Sequence, residues 1–201
     1  MQLIMIKKLF SKTYMLLAIS LILFSGTVIQ AQTLKINPKT STMTIFGTTN
    51  VHDFKIKVEQ INGELVVNSS KKIQSLKVDI PVRSLKSGEK PMDNKTYEAF
   101  NEAKNPTISF QLTDATSLQV TGDEVSVIVN GNLTMAGASR KISFKTTGEN
   151  LKPGIYKFKG SIALKMTDFK MKPPTAMLGM MKVGDAITLK YDINLEGSPI
   201  N

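Results

Sequence analysis

Between Val125 and Gly137 the chain alternates: Val125, Val127, Val129, Gly131, Leu133 and Met135 share one parity, while Ser126, Asn130, Asn132 and Thr134 take the other. Successive side chains of a strand point to opposite faces, so this period of two requires a sheet with one dry and one wet side. A shift of one residue in pairing would turn the whole apolar set into water. After Met135-Ala136-Gly137-Ala138-Ser139-Arg140, Ile142 and Phe144 open a second apolar set, which predicts a hairpin.

The same alternation recurs along the chain. Leu34 and Ile36 precede Pro38, and Met43, Ile45 and Phe46 run to a turn at Gly47-Thr48-Thr49-Asn50. Phe54, Ile56 and Val58 alternate with Lys55, Lys57 and Glu59, and Leu76, Val78, Ile80 and Val82 with Lys77, Asp79 and Pro81. Asn62-Gly63, between Ile61 and Leu65, predicts a tight turn. Further dry faces are Ile108, Phe110, Leu112; Tyr156, Phe158, Gly160, Ile162, Leu164, Met166; and Ile187, Leu189, Tyr191, Ile193, Leu195. One segment departs from the pattern. From Gly88 to Lys104, Asp93 is placed to cap a short helix with Tyr97 and Phe100 on one face, closed by Asn105-Pro106. The expected fold is all-β: an eight-stranded antiparallel barrel with a short helical lid. Closure is favoured because it leaves no unpaired edge.

Residues 1–31 read as an export signal, with Lys7, Lys8 and Lys12 ahead of an apolar run from Met15 to Ile29 and Ala31 as a small residue for cleavage. The run is shorter than the roughly 20 residues of a spanning helix. Residues 32–201 then form one domain, expected in the periplasm or secreted. The net charge of +10 raises the question of nucleic acid. The lysines are scattered and not interleaved with aromatics, so no nucleic-acid partner is expected. Cysteine is absent and His52 is the lone histidine, which closes disulfides, thiolate metal sites and paired-imidazole chemistry. No serine elbow or second histidine supports His52-Asp53 as a catalytic pair, and a rim histidine making a structural hydrogen bond accounts for it. The expectation is a protein without catalysis, metal or resident cofactor.

Gly131 and Gly160 fall on the inward parity. Either they leave gaps that open a channel, or they let strands bend at barrel corners. Met166, Met171, Met177, Met180 and Met181 would suit an adaptable entrance or a plain hydrophobic plug. A channel lined by Val, Ile, Leu, Phe and Met would take an elongated apolar guest.

Six pieces in order resemble the YceI-like family: Phe46-Gly47-Thr48-Thr49-Asn50-Val51-His52, Val82-Arg83-Ser84-Leu85-Lys86-Ser87-Gly88, Asp93 leading to Phe100, Asn105-Pro106-Thr107-Ile108-Ser109-Phe110, Gly131-Asn132-Leu133-Thr134-Met135-Ala136-Gly137 and Thr167-Asp168-Phe169. The resemblance covers about Thr40 to Leu195. It implies an exported, lipocalin-like barrel whose apolar tunnel holds a polyisoprenoid or other long-chain amphiphile, including quinone-type lipids. Carried onto this sequence, the ligand-binding wall comprises Phe46, Ile56, Val58, Val78, Ile80, Phe110, Val127, Val129, Gly131, Leu133, Phe158, Gly160, Ile162, Leu164, Phe169, Leu189 and Tyr191, with Tyr97 and Phe100 by the mouth. The chain departs from the family where Asp-Phe-Gly reads Asp168-Phe169-Lys170, which puts a close backbone approach there in question. Membrane contact is expected to be transient, and a homodimer is left open. The rival is an envelope structural or stress-response protein with a filled barrel.

Overall fold

A computed structural model describes residues 31–116 and 118–200. The expected export signal lies outside the described residues, apart from Ala31. In chain order the strands are β1 (Gln32–Ile36), β2 (Thr42–Thr49), β3 (Asp53–Val58), β4 (Asn62–Val67), β5 (Ile73–Pro81) and β6 (Leu85–Lys86). Helix α1 (Lys90–Phe100) follows, then β7 (Thr107–Ala115), β8 (Gln119–Thr121), β9 (Glu124–Met135), β10 (Ala138–Lys152), β11 (Ile155–Lys165), β12 (Thr175–Ala176) and β13 (Met181–Gly197).

Eight of these strands form an antiparallel ring in the order β1-β4-β5-β7-β9-β10-β11-β13, and β13 closes it by pairing back onto β1. The long β13 serves two neighbours. Its last residues pair with β1 through Ile36 and Leu195, and its earlier part with β2 through Met43 and Tyr191. From β2 the sheet continues through β3 to β6. Every inward residue of β9 from Val125 to Met135 is buried.

The β9–β10 hairpin forms as its sequence predicts. Met135 pairs with Ala138 across Ala136 and Gly137, whose φ of 51° and 77° give the mirror-image turn that matches strand twist. Asn62-Gly63 does not form the expected turn. Both residues lie inside β4 opposite Asp79 and Val78, and Ile36 covers the face of Gly63. The turn comes later, where the Asn68 carboxamide accepts from the backbone N–H of Ser70 and Lys72. A local Asn-Gly preference thus yields to the β5 pairing and to the packing of Ile36.

One end of the barrel carries α1, the Ala136-Gly137 turn and a short 3₁₀ turn at Met166–Phe169. Asn105 joins the first two, donating to the Phe100 carbonyl (3.3 Å) while lying beside Gly137. The 3₁₀ turn packs on β10, β11 and β13. The opposite end gathers the turns at Asn68–Lys72, Gly122-Asp123 and Pro153-Gly154.

Asp93 is not the cap of α1. Glu89 holds that position, and the Asp93 carboxylate instead accepts from the N–H (2.7 Å) and hydroxyl (2.6 Å) of Ser87, pinning the approach to the helix.

Candidate functional site

The barrel encloses an apolar chamber of about 170 Å³, on a measure in which a single water needs about 10–15 Å³. Thirteen of the residues expected from the sequence line it: Val58, Val78, Ile80, Phe100, Phe110, Val127, Val129, Leu133, Phe158, Ile162, Leu164, Leu189 and Tyr191. Met43, Ile45, Ile142, Phe144 and Ile187 join them. Their signal was available, since each stands on the dry parity of its own strand. Thr146 also lines the chamber; it shares the parity of Ile142 and Phe144, but its hydroxyl, next to Lys145 and Thr147, reads as wet.

Six expected wall residues stand elsewhere. Phe46 faces outward, 37% exposed, with the Lys190 ammonium 5.1 Å from its ring centroid. Two adjacent residues of a strand cannot face the same side, and Ile45 takes the inward place. Ile56, Tyr97 and Phe169 are buried in the core without lining the chamber. Phe169 is 1% exposed and is part of the 3₁₀ turn at the helix-bearing end. Lys170, next in the chain, has φ 59°, so the glycine of the family pattern corresponds to a left-handed backbone position.

Gly131 and Gly160 do not open the chamber. Phe110 lies over Gly131, and the Tyr191 ring over its direct partner Gly160. Phe54 covers Gly47 and Phe158 covers Gly148 in the same way. In each pair the missing side chain makes room for a ring from the neighbouring strand. The chamber survives because most of the remaining wall is Val, Ile and Leu, whose branched side chains are short.

Phe110 and Phe144 meet edge to face at 5.7 Å between centroids, and Phe144 and Tyr191 at 6.3 Å, which makes one wall aromatic. Apart from Thr146 and Tyr191, every lining side chain is hydrocarbon or thioether, and none is charged. Thr146 donates to the Lys159 carbonyl (3.1 Å), and the Tyr191 hydroxyl is buried without a partner.

Burial pushes the Tyr191 phenol above the usual tyrosine range, and the nearby Thr146 hydroxyl opposes the shift. The folded state therefore favours the neutral phenol. Below the unfolded pKa of about 10 both states hold the proton, and stability falls as pH rises beyond it. Tyr191→Phe is expected to leave thermal stability at neutral pH unchanged or slightly raised, since it removes an unpaired buried hydroxyl, and to flatten the alkaline fall. Melting curves at neutral and alkaline pH check this. A clear loss of Tm at neutral pH would mean that the hydroxyl has a partner.

Helix α1 is fastened at its end of the barrel through Tyr97. Its hydroxyl accepts from the Lys86 ammonium (2.6 Å) and donates toward the Arg83 and Leu85 carbonyls (3.2 Å each). Arg83 lies 5.0 Å from the Tyr97 ring centroid and pairs with Glu102 at 2.8 Å. This seats Phe100 in the chamber wall.

His52 is exposed, with Nδ1 3.1 Å from the Asp53 carbonyl and its backbone N–H donating to Thr49 Oγ1 (3.0 Å). Among the described residues no group of three or more His, Cys, Asp or Glu side chains is arranged to hold a metal ion.

The sequence profile of the YceI-like domain matches residues 34–195, which spans the barrel from β1 to β13. The chain belongs to the YceI-like domain family. Solved structures share the fold of this YceI-like barrel. A polyisoprenoid binding domain from Saccharophagus degradans superposes with a TM-score of 0.66 at 11% identity, over 84% of this chain and 99% of that one. BcnA of Burkholderia cenocepacia gives 0.62 at 17% identity, over 79% and 98%. The YCEI protein of Campylobacter jejuni gives 0.57 at 20% identity, over 70% and 83%. No curated protein sequence matches this YceI-like chain.

Proposed function

We propose that this YceI-like protein is exported, to the periplasm or the medium, and there sequesters or carries a polyisoprenoid or similar long-chain amphiphile by enclosing its hydrocarbon tail. The chamber carries the proposal: about 170 Å³ of space inside a closed barrel, walled by uncharged and almost wholly apolar side chains. Water in such a space finds two hydroxyls and otherwise no hydrogen-bond partners, whereas a hydrocarbon tail loses none. Each methylene buried contributes about 0.8 kcal/mol, so a multi-unit tail offsets the entropic cost of binding. A charged head group would find no counter-charge on the wall and stays outside. The polyisoprenoid binding domain from Saccharophagus degradans, with the same fold, supports this ligand class. A filled-barrel structural role leaves the space unaccounted for.

The work is binding alone. Two hydroxyls are the wall's polar side chains, and sequestration asks no more of them. Native mass spectrometry of protein expressed with its leader and purified from the periplasmic fraction without detergent tests both parts. The expected result is a mature mass that starts near Gln32 and carries a co-purifying lipid, with delipidated protein binding a prenyl alcohol afresh. A delipidated protein that takes up no prenyl chain would overturn the lipid reading.

A further inference from the structure

A second, smaller cavity of about 80 Å³ lies at the barrel end opposite α1, under the Gly122-Asp123 and Pro153-Gly154 turns. Leu118, Val120, Val125, Tyr156 and Ile200 form most of its wall, with Lys71 and Asn150 adding polar groups. Ile200 is drawn over it because its N–H donates to the Tyr156 hydroxyl (2.7 Å). Of all these residues, none lines the large chamber. Phe158 lines both spaces.

Phe158 stands directly opposite Gly148 on β10, and its ring lies across that glycine, with Cδ1 2.7 Å from where a Cβ would be. Resting the ring on a bare backbone places it between the two cavities, so it acts as the floor of the larger one. We infer that Phe158 sets the length of chain the barrel accepts, and that the smaller cavity is a subsite for the further isoprene units of a longer tail, entered only when this ring is removed or displaced. The inference rests on the lipid-binding reading above and adds to it a residue that determines specificity and a second compartment. A tail that ends at the Phe158 ring leaves its further carbons in water, and each methylene moved out of water changes affinity about fourfold.

The test compares delipidated wild type, Phe158→Leu and Phe158→Met for binding of farnesol, geranylgeraniol and solanesol. Methionine is included because it keeps bulk and repacks easily, which protects the fold. Wild type is expected to gain little from geranylgeraniol to solanesol. Either variant is expected to raise affinity for solanesol about tenfold relative to farnesol, the effect of burying about two more methylenes. Val120→Trp, at a half-exposed position where an indole can cover the smaller cavity, is expected to cancel that gain and leave farnesol binding unchanged. If the solanesol-to-farnesol ratio does not move in the variants, or the gain survives Val120→Trp, the inference is wrong while the lipid-binding reading stands. If wild type binds none of the three alcohols, the lipid-binding reading itself fails.

Discussion

Alanine at Gly131 is expected to destabilise the barrel by about 3 kcal/mol or more, the upper range for overpacking a dense interior. A Cβ there would strike the Phe110 ring and lie 2.6 Å from the Gln111 carbonyl oxygen. The ring could turn toward the chamber, but the carbonyl belongs to the backbone of β7, which is paired with β9 along its length. Gly160→Ala should cost less, about 1 kcal/mol, because its nearest contacts all come from the Tyr191 side chain, which has open space to swing into. Tyr191→Leu combined with Gly160→Ala should recover part of that loss, whereas Phe110→Leu should not rescue Gly131→Ala. Urea unfolding of the four variants measures the difference. Equal costs at the two glycines would show that the backbone contact at Gly131 is easily relieved. A large aromatic residue at Gly131 is therefore not a clean way to block the chamber, since it would break the sheet first.

Indole side chains at Ile162 or Leu189 are expected to abolish tail binding, with a loss of about a hundredfold or more in affinity for a prenyl alcohol. That corresponds to three or four methylenes denied burial. The two residues are direct partners on β11 and β13, both only partly buried and both on the chamber wall. A larger ring there extends into empty space and should leave the melting temperature near that of wild type. Titration of delipidated Ile162→Trp and Leu189→Trp with a fluorescent polyene lipid gives the answer. Undiminished binding in both would place the guest outside the chamber.

The contrast between these two experiments follows from how the interior is built. At Gly131, a ring and the backbone of β7 already occupy the place a side chain would take. On the aliphatic wall, branched side chains end before they meet, and the space between them is free. The dry face of one barrel can thus hold a position that resists even a methyl group, Gly131, and one that tolerates an indole, Ile162.

Much of the architecture could be read from alternation. The dry face of β9, from Val125 to Met135, is buried residue for residue, because a strand leaves no choice about which side its odd residues face. The helix across Tyr97 and Phe100 was equally plain from its i, i+3 spacing. At Phe46 the reading from the residues went wrong where two adjacent apolar residues competed for one inward place, and only the pairing of Ile45 with Leu189 decided between them. Asn62-Gly63 misled because a turn preference is worth little against the β5 ladder that pairs both residues and the Ile36 side chain packed on Gly63.

Period two in side-chain character determined the class of fold, the faces that meet in the core and most of the chamber wall. It contains no information about which strand lies beside which, or at what offset. Those registers, set by closure of β13 onto β1 and by the packing that closure imposes, put Phe110 over Gly131, Tyr191 over Gly160 and Phe158 between two cavities. Side-chain volumes add up along a strand, but the space left over depends on what stands across the barrel, and so only the tertiary structure could say where it was.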